Sequence, residues 1–161
     1  NIENINIFRE ADAALIYAMD GKINDKNPVG MVNVGFRTTE LSYFDKGFKF
    51  NDKLSTTIES GNQNALKLVQ KRLVDIGITK SLPEIDSADD YPELKDLAYT
   101  LTSDDTNELI EETWNNLDEM NIYVSGGTSL NLNLNDKFTV VDDSQMATAK
   151  GLYEVGVRLE K

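Results

Sequence analysis

Residues 29–40 read Val-Gly-Met-Val-Asn-Val-Gly-Phe-Arg-Thr-Thr-Glu and carry the clearest structural signal in the chain. The apolar run at 29–34 predicts a buried strand, and a second strand is expected from Thr38 to Phe44 after a tight Gly-Phe-Arg connection. A glycine followed by two threonines in such a connection offers N–H groups and hydroxyls that can hold phosphate oxygens. The same residues also suit a plain β-hairpin whose threonines merely favour extended backbone, and the segment alone favours that simpler interpretation.

A second glycine motif lies at 122–130, Ile-Tyr-Val-Ser-Gly-Gly-Thr-Ser-Leu. It predicts a strand that ends in Gly126-Gly127. Glycines in this position let a ligand approach the backbone closely, and the N–H groups that follow can cradle a nucleotide. The alternative is an ordinary turn that needs a positive φ angle.

Hydrophobic periodicity and turn residues predict an α/β fold with a central sheet and helices on its faces. Gly151 falls inside the last predicted helix, so we expect it to pack closely against another backbone. The other predicted elements are a strand at 5–8, a helix at 10–20 ended by Gly21 and Asn24, a turn at 45–47, a strand at 48–50, a helix at 62–75, a helix from Ser103 to about 119, a strand at 138–141 and a helix at 145–155 capped by Ser144.

Glu10 stands at the expected start of the first helix. A carboxylate there favours interaction with the positive end of the helix dipole. If a phosphate site lies nearby, the same carboxylate can orient an attacking water. Both interpretations stay open from the residues alone.

The chain has 161 residues, which suits one domain, with 16 basic and 28 acidic side chains, a net charge of −12, and neither cysteine nor histidine. Disulfides, thiol nucleophiles and imidazole-dependent sites are therefore excluded. The acidic balance argues against direct contact with nucleic acid. No apolar run could span a membrane, and we expect a cytoplasmic protein.

The acidic clusters at 84–93 and 104–119 are expected to be solvated faces rather than metal sites. The proline-containing, acidic stretch at 77–102 predicts a small inserted subdomain.

Taken in order, these segments resemble the C-terminal half of the actin-like ATPases. Residues 33–40 resemble the second phosphate motif of that superfamily, usually Asp-x-Gly followed by Thr-Thr and an acid, and 122–130 resemble its adenosine motif. Residues 8–18, Phe-Arg-Glu-Ala-Asp-Ala-Ala-Leu-Ile-Tyr-Ala, resemble the element that carries its hydrolytic carboxylate. The ending at 142–156 is similar to that of the ParM-type plasmid-segregation actins, with Ser-Gln and then Gly-Leu-Tyr-x-x-Gly.

The resemblance implies an actin-like, ribonuclease H-like domain of an ATPase that forms filaments and moves plasmid or phage DNA through a DNA-bound adaptor protein. It implies ATP or GTP with Mg²⁺ as cofactor, and self-association. From the acidic charge and the lack of a long apolar run, we expect no direct contact with nucleic acid or membrane. The metal would be held through the nucleotide. The implied site residues are Glu10 and Asn33 for catalysis, Gly35, Thr38 and Thr39 for the phosphates, and Gly126, Gly127, Thr128 and Ser129 for adenosine.

Two features depart from the family pattern. Asn33 stands where an aspartate is usual, and an amide carries no charge, so we expect slow hydrolysis, hydrolysis carried mainly by Glu10, or a nucleotide-binding scaffold without turnover. The family's first phosphate loop, Asp-x-Gly followed by a lysine, does not occur in residues 1–161. We therefore expect the chain to be the second, C-terminal domain of a two-domain protein. A sugar kinase or chaperone ATPase of related fold is a further alternative, for which we recognise no substrate signature.

Overall fold

The computed structural model describes residues 7–20 and 26–159, which form a mixed six-stranded sheet with helices packed against it. The α/β fold class is therefore confirmed. The helices are α1 Glu10–Ala18, α2 Asn62–Asp75, α3 Leu82–Ser87, α4 Pro92–Thr113 and α5 Ala147–Leu159. The strands are β1 Val29–Val34, β2 Thr39–Asp45, β3 Lys49–Phe50, β4 Thr56–Ile58, β5 Asn121–Ser125 and β6 Thr139–Val140.

Strand β1 lies at the centre of the sheet, whose order is β3-β2-β1-β5-β6, with β4 also paired to β2. It pairs antiparallel with β2 and parallel with β5. In the parallel pair Asn33 is level with Ser125, so β1 and β5 reach their carboxyl ends at the same edge of the sheet. The two glycine motifs follow these strands directly.

Both faces of β1 are buried, as expected for a nearly continuous apolar strand. Helices α1 and α5 cover the face that carries Val29 and Met31. Ile110 of α4 and Trp114, the residue just after that helix, cover the opposite face, which carries Val32 and Val34. A further apolar cluster joins α2, α3 and α4, and consists of Ala65, Leu66, Val69, Leu73, Ile85 and Ala98.

The predicted bounds of β1 and α2 are confirmed residue for residue. The close approach expected of Gly151 is confirmed too, because a Cβ atom built there would lie 1.7 Å from the carbonyl oxygen of Ala13 in α1. Of the predicted strand at 5–8, residues 5 and 6 lie outside the described residues, and residues 7 and 8 are not in a strand. Gly21 and Asn24 also lie outside the described residues.

The predicted helix start at Ser103 is wrong. Helix α4 begins at Pro92 and ends at Thr113, and Ser103 is buried in its middle, with its hydroxyl donating to the carbonyl of Tyr99 at 2.7 Å. Trp114 lies beyond the helix in extended backbone. Its indole N–H donates to the carbonyl of Leu54 at 2.7 Å, so the ring is fixed by tertiary contacts rather than by helical periodicity.

The stretch at 77–102 holds α3 and the first half of α4, and its expected end at 102 falls inside that helix. We expected little of it to be core, but Ile85 and Ala98 are buried against α2. Its place as an insertion stays a prediction.

The predicted cap at Ser144 is also corrected, because Ser144 lies within a 3₁₀ turn, Ser144–Met146, that precedes α5.

Candidate nucleotide-binding loops

The two glycine motifs meet at the carboxyl edge of β1 and β5. The β1 loop consists of residues 35–38, between β1 and β2, and the β5 loop of residues 126–129, after β5. The Thr128 hydroxyl lies 2.9 Å from the carbonyl oxygen of Gly35, so the loops are in direct contact. In open α/β sheets, ligands bind outside the carboxyl ends of strands, where loops such as these converge.

Gly126 can be only a glycine in this arrangement. Its φ angle is +112°, and an added Cβ would lie 2.2 Å from the carbonyl oxygen of Val34. Its N–H donates to the carbonyl of Ser144 at 3.1 Å. The first glycine of the motif is therefore needed for packing of the β5 loop on β1, whereas Gly127 is exposed.

The start of α2 holds the carbonyl groups of the β1 loop. The N–H of Asn62 lies 3.4 Å from the Gly35 oxygen, and the N–H of Gln63 donates to the Phe36 oxygen at 2.7 Å. Gly61 makes this approach possible, because a Cβ there would lie 2.6 Å from the Gly35 oxygen. Two N–H groups of the first helical turn, which have no partner inside the helix, thus find acceptors in the loop.

This anchoring fixes the direction of the loop N–H groups. In a trans peptide the N–H points opposite to the carbonyl, and none of the described residues follows a cis bond. The N–H groups of Phe36 and Arg37 therefore point away from α2. Among residues 7–20 and 26–159, no acceptor is found for the N–H of Phe36, Arg37 or Thr38. Successive loop N–H groups without a protein acceptor are available as donors to an anion.

Asn33 is the last but one residue of β1, and its side chain is half-buried. Alternation along the strand places it on the face of Met31, which α1 and α5 cover. Its Oδ1 lies 3.3 Å from the Ser125 hydroxyl, across the parallel strand pair. The pair can hold water by hydrogen bonds but offers no carboxylate at this position.

The hydroxyl groups of Thr39 and Ser129 both contact neighbouring protein groups. Thr39 is fully buried and donates to the carbonyl of Ser60 at 2.7 Å. Ser129 is buried, and its hydroxyl lies 2.9 Å from the Gly126 oxygen and 2.8 Å from the Ser144 hydroxyl. Both hydroxyls therefore help to hold the loops in place, and their contact with phosphate or adenosine stays a prediction.

Glu10 is the first residue of α1, and its side chain is exposed. Among residues 7–20 and 26–159, Glu10 makes no side-chain hydrogen bond or ion pair with either loop. The guanidinium of its neighbour Arg9 lies 3.4 Å from the centre of the Phe50 ring, and Phe50 is paired with Phe44. Phe44 in turn is level with Val29, at the amino end of β1 rather than the end that carries Gly35. A catalytic role for Glu10 stays a proposal.

Sequence reasoning missed two residues at this edge. Arg37 is exposed at the tip of the β1 loop and makes no ion pair within the described part of the chain. A lone cation between Gly35 and Thr38, in a chain of charge −12, is the signal that could have identified it. Asn62 gave no local signal, because its contact with the Gly35 oxygen depends on how α2 packs against the sheet.

Asp143 precedes Ser144, whose carbonyl accepts from the Gly126 N–H of the β5 loop, and it forms an ion pair with Lys150. Lys150 in α5 lies 2.7 Å from Asp143 and donates to the Tyr17 hydroxyl at 3.1 Å. These two contacts, Asp143 first, raise the pKa of Lys150 above its ordinary value. The ammonium group is therefore charged at neutral pH. Through it, Asp143 is linked to Lys150 in α5 and to Tyr17 in α1.

The described residues offer neither a cluster of metal ligands nor a membrane-spanning helix. Across 7–20 and 26–159, no group of three or more acidic side chains is placed to hold a metal ion. Within the same ranges, every helix is too short or too polar to cross a bilayer.

Solved structures match the chain closely in shape. An archaeal actin homologue, Ta0583, in complex with ADP matches with a TM-score of 0.73 and 19% identity, over 91% of this chain and 55% of that one. The fold is actin-like. A ParM mutant from pCBH matches this actin-like fold with a TM-score of 0.78 and 19% identity, over 96% and 55% of the two chains. A 15-stranded ParM filament from Clostridium botulinum matches with a TM-score of 0.76 and 20% identity, over 97% and 54%.

The actin-like, ParM-type fold implied by the sequence motifs is thereby confirmed. No protein-family model matches the chain, and the search of curated proteins found no match either. The chain spans about half the length of the first solved structures that share its actin-like fold.

Proposed function

We propose that the chain is the C-terminal half of a filament-forming actin-like ATPase that moves or segregates plasmid or phage DNA. In this proposal ATP or GTP, with Mg²⁺, binds between the carboxyl edge of β1 and β5 and a second domain. The observation that carries it is the junction of two glycine loops, in which the unpaired N–H groups of Phe36 and Arg37 in the β1 loop point away from α2. This arrangement stands at the carboxyl edge of an actin-like sheet.

The residues at this edge fit a nucleotide. The N–H groups of Phe36, Arg37 and Thr38 are donors for phosphate oxygens, and the Arg37 side chain adds positive charge beside them. The exposed backbone at Gly127 leaves room for the nucleoside. Mg²⁺, when bound with the nucleotide, would neutralise charge on the phosphates. Asn33 and Glu10 are the proposed groups for orienting water.

Similar solved structures support the proposal that the full-length protein binds nucleotide and forms filaments. One of them is an archaeal actin homologue with ADP, and another is a ParM filament. The charge of −12 favours a link to DNA through an adaptor protein rather than direct contact. The adaptor, the filament and the cytoplasmic location are parts of this proposal.

The test is assembly of the full-length protein that contains this chain. We expect light scattering to rise when ATP or GTP is added with Mg²⁺, and to stay low with nucleotide omitted. The same samples, assayed for phosphate release, report hydrolysis. Scattering that is the same with and without every nucleotide would contradict the proposal.

Asn33 favours a second candidate, a nucleotide-binding scaffold without turnover. An Asn33→Asp variant of the full-length protein separates the two, because a carboxylate oxygen can still accept the hydrogen bond from Ser125. If the wild-type protein binds nucleotide without releasing phosphate and the variant gains a large rate, the scaffold is correct. Phosphate release by the wild-type protein that depends on assembly supports the ATPase instead.

A further inference from the structure

We propose that Thr128 is a positioning residue that locks the peptide between Gly35 and Phe36 in its phosphate-binding orientation. The inference rests on the proposed nucleotide site and assigns the Thr128 hydroxyl to the neighbouring loop rather than to adenosine. It starts from one contact between two loops that are 93 residues apart in the sequence.

The contact is specific. The Thr128 hydroxyl oxygen lies 2.9 Å from the Gly35 oxygen and 3.2 Å from the Val34 oxygen. A hydroxyl has one hydrogen, so it donates to the nearer of these acceptors or is shared between them. With its donor used in this way, the hydroxyl retains only acceptor capacity towards a ligand.

Thr128 supplies the shorter of the two bonds that hold the Gly35 carbonyl. The other comes from the Asn62 N–H at 3.4 Å, near the limit for a hydrogen bond. Without the hydroxyl, this peptide would be held on one side by a long bond alone. The next peptide is better held, because the Phe36 oxygen accepts from Gln63 at 2.7 Å.

The orientation of this peptide decides what the loop offers to an anion. As the structure has it, the Gly35 oxygen points towards Thr128 and α2, and the Phe36 N–H points the opposite way. A rotated peptide would present the carbonyl oxygen where the N–H now lies. An oxygen dipole at that position repels phosphate, whereas an N–H donor binds it.

The surrounding backbone permits this kind of local rotation. Gly35 has no side chain to resist it, and an added Cβ would meet the Thr38 oxygen at 3.0 Å as its one close neighbour. Gly126, by contrast, is packed so tightly on Val34 that the β5 loop itself has a fixed position. The hydroxyl of Thr128 therefore acts from a rigid support on a more adjustable peptide.

The test compares Thr128→Val, which keeps the shape but lacks the donor, with Thr128→Ser, which keeps the hydroxyl, in the full-length protein. Calorimetric titration gives the affinity for ADP and for adenosine, which lacks phosphate. Loss of the one hydrogen bond that orients this peptide predicts roughly three- to tenfold weaker ADP binding by Thr128→Val. We expect Thr128→Ser to bind ADP like the wild-type protein and all three proteins to bind adenosine equally.

Amide hydrogen exchange without nucleotide gives an independent readout. If the Gly35 carbonyl is released, the Asn62 N–H loses its acceptor, and its exchange is faster in Thr128→Val than in wild type or Thr128→Ser. Equal ADP affinities in all three proteins would overturn the proposal, and so would equal losses of ADP and adenosine affinity in Thr128→Val. If the wild-type protein binds neither probe, the proposed nucleotide site fails. The Asn62 exchange rates then decide by themselves whether Thr128 locks the peptide, and unchanged rates reject the lock.

Discussion

Gly126 and Gly127 are adjacent in the sequence, but their surroundings differ sharply. A Cβ on Gly126 would meet the Val34 backbone at 2.2 Å, and its φ angle of +112° is strained for any other residue. A Cβ on Gly127 has one neighbour, the Gln145 side chain at 4.0 Å. We expect Gly126→Ala to lower the free energy of unfolding by about 3 kcal/mol or more, and Gly127→Ala to change it by less than about 1 kcal/mol.

Urea unfolding midpoints of the two variants, measured beside the wild-type protein, check this expectation. Each variant adds one methyl group to the same motif. A difference between their unfolding midpoints therefore reports the surroundings of the two glycines and not the chemical change itself. Similar midpoints for the two would show that the β5 loop does not pack on Val34 as described.

The residues of the site were predictable in part. Glycine motifs at the ends of apolar strands identified both loops, because glycine signals close backbone approach whatever its partner is. The protein contacts of the Thr39 and Ser129 hydroxyls were not predictable, since a hydroxyl in a loop is equally suited to a ligand or to a carbonyl. Tertiary packing decided this, by placing Ser60 beside Thr39 and Ser144 beside Ser129.

At the scale of elements, α5 contains two glycines with opposite requirements. Gly151 lies against Ala13 of α1, where a Cβ would come within 1.7 Å of a backbone oxygen, whereas a Cβ on Gly156 would meet nothing within 4 Å. Alanine favours a helix over glycine by about 1 kcal/mol. We therefore expect Gly156→Ala to stabilise the protein by about 0.5–1 kcal/mol. Gly151→Ala should destabilise it by about 2 kcal/mol or more, because α1 and α5 must move apart.

Thermal or urea unfolding of both variants measures the difference. The helical propensity gained is the same at both positions, so a difference in sign isolates the packing of α1 on α5. Stabilisation by Gly151→Ala would contradict the close approach of the two helices.

Helix α4 shows why element boundaries were harder to predict than element types. Ser103-Asp104-Asp105 has the composition of a helix start, since such side chains commonly cap helices. In the folded chain the Ser103 and Thr106 hydroxyls instead donate to the carbonyls four residues earlier. The true start carries a weaker signal, Pro92 followed by Glu93 in the first turn. By contrast, Gly61 and a regular apolar face made α2 predictable at both ends.

At the scale of the whole molecule, the proposal places one side of a nucleotide cleft in the described residues. The chain spans about half of each first matched structure, and its unpaired N–H donors belong to a single edge of the sheet. We expect the isolated 161-residue chain to bind ATP with a dissociation constant weaker than micromolar. The full-length protein should bind more tightly, since a second set of contacts adds to the binding free energy.

Calorimetric titration of ATP into both proteins, with Mg²⁺ present, makes the comparison. The circular dichroism of the isolated chain serves as the control that it is folded. Micromolar affinity in the isolated chain would contradict this expectation and would place the whole site within these residues.

The parallel pairing of β1 with β5 also determines how late in synthesis the central sheet can form. Asn33 and Ser125 lie side by side but are 92 residues apart in the chain, so their loop closes late and at a large entropic cost. Until β5 has left the ribosome, the β1–β2 hairpin exposes the apolar edge of β1, which is the kind of edge that recruits other strands. The same event that assembles the candidate site therefore also covers this exposed strand edge.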